Sequence, residues 1–239
     1  MKIDLNADLG EGYPYDEALM AQISSANIAC GGHTGDALSM RHTVRLALRH
    51  GVRIGAHPSY PDRAHFGRRS LLISHEALQA SLSEQIAVLR AICQDEGATL
   101  AYVKPHGMLY NDAARDITIA DCVLRAVAEV DASLHIMALA GSDFARHAAH
   151  MGWQVIEEGF VDRAYQDDGQ LVPRTLPGAV LADDAQALQQ ALALAAGTVQ
   201  TQSGNTLTLR VDSLCLHGDN AHALDFARLV RAQLCESSA

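Results

Sequence analysis

The sequence predicts an α/β protein built as a seven-stranded, distorted (β/α) barrel of the TIM-like kind, a single barrel domain spanning 1–239. Three observations carry that expectation. Seven short apolar runs of strand length each give way to a helical pattern, which implies parallel strands joined by right-handed crossovers. Nothing in the 239 residues reads as a linker, a low-complexity tract or a repeat. Finally, Asp8, His33, His57, His106, Glu158 and His217 all fall where a strand-like run meets a Gly- or Pro-containing loop. In an open seven-stranded sheet the outer strands would lie on the order of 29 Å apart, too far for their end groups to share a substrate. Closure brings every strand's carboxyl end to one mouth, so a barrel is expected over an open doubly wound sheet, with seven strands making an imperfect version.

The expected strands are 3–7, 26–30, 52–56, 99–103, 134–139, 153–156 and 213–216. The clearest helix has Ser74 as its N-cap, an apolar stripe of Leu78, Leu82, Ile86, Leu89 and Cys93, and Gly97 just past its end. Further helices are expected to start near Asp116, Ser142, Asp183 and Asn220, each a good capping residue. One segment breaks the rhythm. Residues 198–211, TVQTQSGNTLTLRV, alternate with period two around SGN and read as an appended hairpin.

With 49% hydrophobic and 19% charged residues the chain can bury a large core. A formal charge of -10, with the acidic residues scattered, should repel phosphate backbones, so nucleic acid is not expected as a partner. The N-terminal MKIDLNADLGEG lacks the apolar stretch of a signal peptide, and no run approaches the roughly 18 apolar residues of a membrane span. A cytoplasmic location without membrane contact is expected. Five widely spaced cysteines with no CxxC pair argue against a disulfide framework and a thiolate zinc site, and only Cys30, in ACGGH, invites the reading of a reactive thiol.

Asp4, Asn6 and Asp8 alternate with Ile3, Leu5 and Ala7, which puts three polar groups on one face of the first strand. Asp4 and Asn6 suit a buried hydrogen-bond network as well as a ligand; Asp8, at the strand's end, suits a general base or the orienter of a histidine. In SANIACGGHTGD, glycines surround His33, Asp36 can cap the next helix, and backbone NH groups suit an anion. Neither GxxxxGK[ST] nor GxGxxG occurs, so no standard ATP or dinucleotide site is legible. His57 precedes Pro58 and His106 follows Pro105, so both imidazoles sit on stiffened loops. Lys104 shares a face with His106, and an inward lysine must find an anion or lose its proton. Later come Glu158 and Arg163 in EEGFVDRAY, Arg174 between prolines, and His217, Asp219 and Asn220 in CLHGDN. An arginine in a stiff loop suits bidentate capture of a carboxylate or phosphate. The catalytic candidates are thus Asp8, His57, His106 and His217, and the substrate-binding candidates Asn6, His33, Lys104, Glu158, Arg163, Arg174 and Asp219, with no residue assigned to a metal. His42, His50, His75, His147, His150 and His222 fall in helical stretches, where exposure is the default.

The segments DLNADLGEG, SANIACGGHTGD, GAHPSYPDRAHFGRR, VKPHGMLYN, EGFVDRAY, LVPRTLPGA and CLHGDN resemble, in that order, the motifs of the LamB/YcsF family. The resemblance runs from residue 2 past residue 220. It implies a TIM-like barrel related to glycoside hydrolases and deacetylases, and an ATP-dependent 5-oxoprolinase activity that opens 5-oxo-L-proline to L-glutamate together with B and C subunits. Lacking a phosphate loop, the chain is expected to share ATP handling with those partners or leave it to them. On this reading Lys104 with Arg163 or Arg174 holds the substrate carboxylate and any phosphate, Asp8 with His57 activates water, and His106 or His217 protonates the departing nitrogen. Two alternatives stay open. One is a deacetylase-like amide or carbohydrate hydrolase in which Asp8, His57 and His106 ligate a divalent metal. The other is a small-molecule-binding protein of the same complex without catalysis.

Overall fold

The computed structural model describes residues 3–216 and 222–236, so the candidates His217 and Asp219, and the expected cap Asn220, lie outside the described residues. Seven strands close a barrel: β1 (Asp4–Leu9), β2 (Ser25–Ala29), β3 (Arg53–His57), β4 (Leu100–Val103), β5 (His135–Leu139), β6 (Val155–Phe160) and β9 (Ser213–Leu216). Every neighbouring pair is parallel. Closure depends on β9, which pairs with β1 on one side and β6 on the other, Ser213 facing both Asp4 and Glu158. The two remaining strands, β7 (Thr198–Gln200) and β8 (Thr206–Thr208), pair antiparallel as the hairpin expected at 198–211.

Helices wrap the barrel: α1 (Asp16–Met20), α2 (Ala37–His50), α3 (His75–Asp95), α4 (Gly107–Arg115), α5 (Ile117–Asp131), α6 (Asp143–His150), α7 (Asp184–Ala195) and α8 (His222–Glu236). Their starts follow capping chemistry. Ser74, Asp116, Ser142 and Asp183 each accept a hydrogen bond from a first-turn NH, and Asp36 opens α2 with a reciprocal capping box to Ser39. The α3 stripe Leu78, Leu82, Ile86, Leu89 and Cys93 is buried in the main core, with Leu5, Ala7 and Leu9 from the outward face of β1. Among the described residues no helix is long and apolar enough to cross a membrane.

Three features depart from the sequence expectation. Strand β6 runs on to Phe160, because the inward Glu158 finds a cation and a hydroxyl inside the barrel and so does not end the strand. Helix α4 starts directly after Pro105-His106, where a loop is expected: Met108 NH, which has no partner within the helix, donates to the Gly67 carbonyl instead. Helix α1 is a single short turn too brief for a periodic signature.

The inward face of the barrel is polar. Asp4 accepts from Ser25 Oγ (2.8 Å) and Ser213 Oγ (2.5 Å), Ser213 Oγ accepts from Asn6 Nδ2 (2.8 Å), and Asn6 Oδ1 accepts from Asn27 Nδ2 (2.8 Å). Asn27 Oδ1 in turn accepts from Tyr102 OH at 2.6 Å. This column occupies the barrel axis with satisfied hydrogen bonds, and it leads upward from Asp4 to Asp8 at the carboxyl rim.

Candidate active site

Strand ends β1, β3 and β4 and the loops that follow them supply one cluster. Asp8, late in β1, directs Oδ2 to His57 Nε2 at 3.3 Å, and its Oδ1 accepts from Asn27 Nδ2 (2.8 Å) and Lys104 Nζ (3.1 Å). His57 closes β3, and His106, the residue before α4, brings Nδ1 to 2.9 Å from His57 Nε2. Glu11 follows β1 in a turn flanked by Gly10 at φ 75° and Gly12 at φ 88°, conformations glycine adopts without strain. Its Oε1 lies 2.9 Å from His33 Nε2 and 3.4 Å from His106 Nδ1. The rings of His33 and His106 stack with centroids 3.6 Å apart and an interplanar angle of 3°.

Below this cluster Lys104 ties the rim to the interior. Its ammonium lies 2.6 Å from Glu158 Oε1, 3.1 Å from Asp8 Oδ1, 3.2 Å from Asn6 Oδ1 and 3.3 Å from Cys215 Sγ, and Tyr110 OH donates to Glu158 Oε2 at 2.7 Å. Burial works against the charged form of Lys104, but Asp8, Cys215 and Glu158 override it and hold the ammonium well above its usual pKa. Burial also pushes His33 and His106 down to about 2, with the neighbouring His57 adding to both, so these two rings are neutral at ordinary pH. The Cys30 thiol is buried and pushed up to about 12, which removes the reactive-thiol reading.

Hydrogen-bond partners fix the tautomers. His57 Nδ1–H donates to the Lys104 carbonyl at 2.8 Å, and His106 Nε2–H donates to the Phe66 carbonyl at 3.0 Å. The neutral His106 ring has only one N–H to give, so its Nδ1 is an acceptor facing His57 Nε2 and Glu11, a place that a proton on His57 or a bound cation would satisfy. Asp8, Glu11, His57 and His106 each offer an atom within 4.8 Å of the others, a set of two imidazoles and two carboxylates suited to a divalent ion. Both imidazoles donate their remaining N–H to a carbonyl, as metal-ligating histidines do.

Of the sequence candidates, the structure brings together Asn6, Asp8, His33, His57, Lys104, His106 and Glu158. Several of them are engaged by the protein's own groups, Asn6 in the buried network that its place on β1 allows. Asn6 is fully buried, with both ends of its amide engaged within the barrel. Lys104 has three N–H donors and already faces four acceptors, so it holds protein carboxylates rather than a substrate's. Arg163 is buried and donates to the carbonyls of Val172 (2.7 Å) and Ala179 (3.2 Å), which fastens its own loop. Burial, with the nearby Arg174, lowers its pKa to about 10. Arg174 is exposed on the same loop. Sequence reasoning missed Glu11, Tyr110 and the Phe66 carbonyl. The GEG turn directly after Asp8 was a usable signal for Glu11; a backbone carbonyl leaves none.

A closed parallel barrel with acids and imidazoles gathered at its carboxyl rim has the make-up of a (β/α)-barrel hydrolase. The chain belongs to the LamB/YcsF family, whose model matches residues 3–239. It is 48% identical over 234 residues to proteins of two Haemophilus influenzae strains, PittEE and 86-028NP, each named as the A subunit of 5-oxoprolinase, with 98% of this chain and 96% of theirs covered. A crystal structure of a lactam utilization protein from Thermus thermophilus superposes with a TM-score of 0.93 at 40% identity, covering 100% of this chain and 98% of that one. A putative cellobiose-phosphate cleavage protein from Enterococcus faecalis V583 shares the fold alone, with a TM-score of 0.59 at 10% identity over 98% of this chain and 93% of that one.

Proposed function

We propose that this chain is the lactam-opening component of an ATP-dependent 5-oxoprolinase and acts with B and C subunits to hydrolyse 5-oxo-L-proline to L-glutamate. The observation that carries the reading is the convergence of Asp8, Glu11, His57 and His106 at one rim, in a chain 48% identical over almost its whole length to proteins named as this component. ATP use favours the cytoplasm as its location.

A five-membered lactam is a poor electrophile, and activation requires its carbonyl oxygen to become a leaving group. Phosphoryl transfer from ATP to that oxygen, on the partner subunits, gives ADP and a phosphorylated imidate. Water then adds to the ring carbon and gives its proton to the Asp8–His57 pair, which lies 3.3 Å apart. That proton passes from His57 Nε2 to His106 Nδ1, 2.9 Å away, and on to nitrogen as the ring C–N bond breaks, leaving an acyl phosphate, and a second water releases phosphate and glutamate. Lys104 keeps the Asp8 carboxylate in place throughout. His33 and Glu11 form the other wall of the site and steer the His106 ring by stacking and by charge.

A specific observation favours a divalent ion in this site. Two carboxylates and two imidazoles, those of Asp8, Glu11, His57 and His106, converge within 4.8 Å of one another, and both rings give their other N–H to a backbone carbonyl. Asp8, Glu11, His57 and His106 would hold the ion, which when bound supplies a lowered pKa for water and polarises the carbonyl. Elemental analysis of the purified chain decides: about one equivalent of metal, lost on chelation, supports this form, and metal-free protein with full activity removes it.

The reading as a whole is tested by reconstitution. Glutamate release from 5-oxoproline should require this chain, both partner subunits and ATP together. Release by the B and C subunits alone would reject a catalytic role for this chain.

A further inference from the structure

Among the described residues, Phe66 is the one non-glycine residue with positive φ, at 55°. A left-handed backbone is unfavourable for a side chain as large as phenylalanine, and such conformations persist where the surrounding structure over-determines them. The surroundings here are specific. Phe66 follows a single 3-10 turn, Arg63–His65, and Gly67 beside it is also left-handed at φ 62°. Phe66 NH donates to Arg63 carbonyl (3.3 Å), Gly67 NH to Asp62 carbonyl (2.9 Å) and Arg68 NH to His65 carbonyl (3.0 Å). The loop is then pinned to the start of α4, where Met108 NH donates to Gly67 carbonyl at 2.9 Å and a Cβ on Gly107 would meet that same oxygen at 2.6 Å. The product of this geometry is one carbonyl, that of Phe66, turned to accept from His106 Nε2 at 3.0 Å. The phenyl ring packs edge-on against His33 (5.0 Å) and His106 (5.4 Å).

We propose that Phe66 is a positioning residue whose left-handed backbone aims its carbonyl at His106 Nε2, fixing the tautomer that leaves His106 Nδ1 bare toward His57 and Glu11. This rests on the acid–base role given to His106 above. If the carbonyl faced away, either ring nitrogen could carry the proton and Nδ1–H would be free to block the face that His57 and Glu11 share. The backbone, not the phenyl ring, is the essential part, and that separates this role from ordinary packing.

The test exploits residues that differ in their tolerance of positive φ. Asparagine and glycine adopt it readily, and valine, β-branched, does not. Phe66→Asn and Phe66→Gly should keep kcat of the reconstituted enzyme within a few-fold, and Phe66→Val should lower kcat on the order of 10²-fold, the scale of one acid–base contribution, with KM little changed. Nitrogen-15 NMR of the histidine-labelled chain provides a readout that packing alone does not move. His106 should give a protonated Nε2 signal in the wild type and in the Asn and Gly variants, and a mixed or reversed pattern in Phe66→Val. Should the Val variant not fold, Phe66→Ala against Phe66→Asn makes the same comparison. Asn and Gly variants as impaired as Val, or an unchanged His106 pattern in Val or Ala, would overturn the proposal. The NMR is read on the chain without substrate, so it judges the tautomer separately from the lactam reading.

Discussion

Lys104 illustrates how a single buried charge organises this barrel. Its ammonium neutralises Glu158 and Asp8, and removing it would leave the fully buried Glu158 carboxylate without its cation and the half-buried Asp8 without one of its partners. Lys104→Met is therefore expected to cost about 3–5 kcal/mol of folding stability in urea titrations, the range for breaking a buried pair; a loss under about 1 kcal/mol would mean the pair is solvated. The neutral histidines carry a pH dependence of definite sign. Burial holds His33 and His106 at about 2 in the folded chain, and unfolded histidine titrates near about 6.5, so between these values the unfolded chain binds more protons. Their contribution is intact above about pH 6.5 and is lost progressively as the pH falls below it, by up to about 1.4 kcal/mol per pH unit for each ring. His33→Asn should flatten the decline of urea midpoints between pH 7 and 4; an unchanged slope would contradict burial as the cause. Much of the site is legible at this scale because Asp8, His33, His57, His106 and Glu158 are ionisable residues at or near strand ends. Glu11 is harder to read because it lies three residues past Asp8, in a turn where the flanking glycines are the stronger local signal. The Phe66 carbonyl cannot be read at all, because any residue has one.

Between residue and molecule, each strand answers to what it meets inside the barrel. Gly55 on β3 lies where the register to β4 shifts, and a Cβ there would come within 2.2 Å of the Tyr102 ring. That ring cannot easily retreat, since its hydroxyl donates to Asn27 at 2.6 Å and Arg53 lies over its face at 5.2 Å. Gly55→Ala should cost about 1–3 kcal/mol by overpacking, read from the urea midpoint, and a neutral substitution would mean the β3–β4 contact is looser than described. The elements that sequence places well are those with strong local signals: the capped helices α2, α3, α5, α6 and α7, and the alternating 198–211 hairpin. Strand β6 reads too short because Glu157 and Glu158 look like the start of a loop, and only tertiary pairing of Glu158 with Lys104 and Tyr110 makes them strand residues.

At the scale of the molecule, closure through β9 turns scattered side chains into a site. Residues as distant in sequence as Asp8 and His106 meet at the rim because β1 to β6 and β9 form one parallel ring. This need for convergence makes a barrel legible in the sequence, and the strand order delivers the ring. The sequence cannot supply the depth of the polar column, since Asp4, Asn6, Asn27 and Ser213 hydrogen-bond across strands whose register no local pattern encodes. The account stands on Asp8 and His57 acting together on water at that rim. The most direct measurement is kcat for ATP-dependent glutamate release by Asp8→Asn reconstituted with the B and C subunits, after urea unfolding has established that the variant folds. A loss on the order of 10²-fold or more is predicted. A folded variant with wild-type turnover would contradict it.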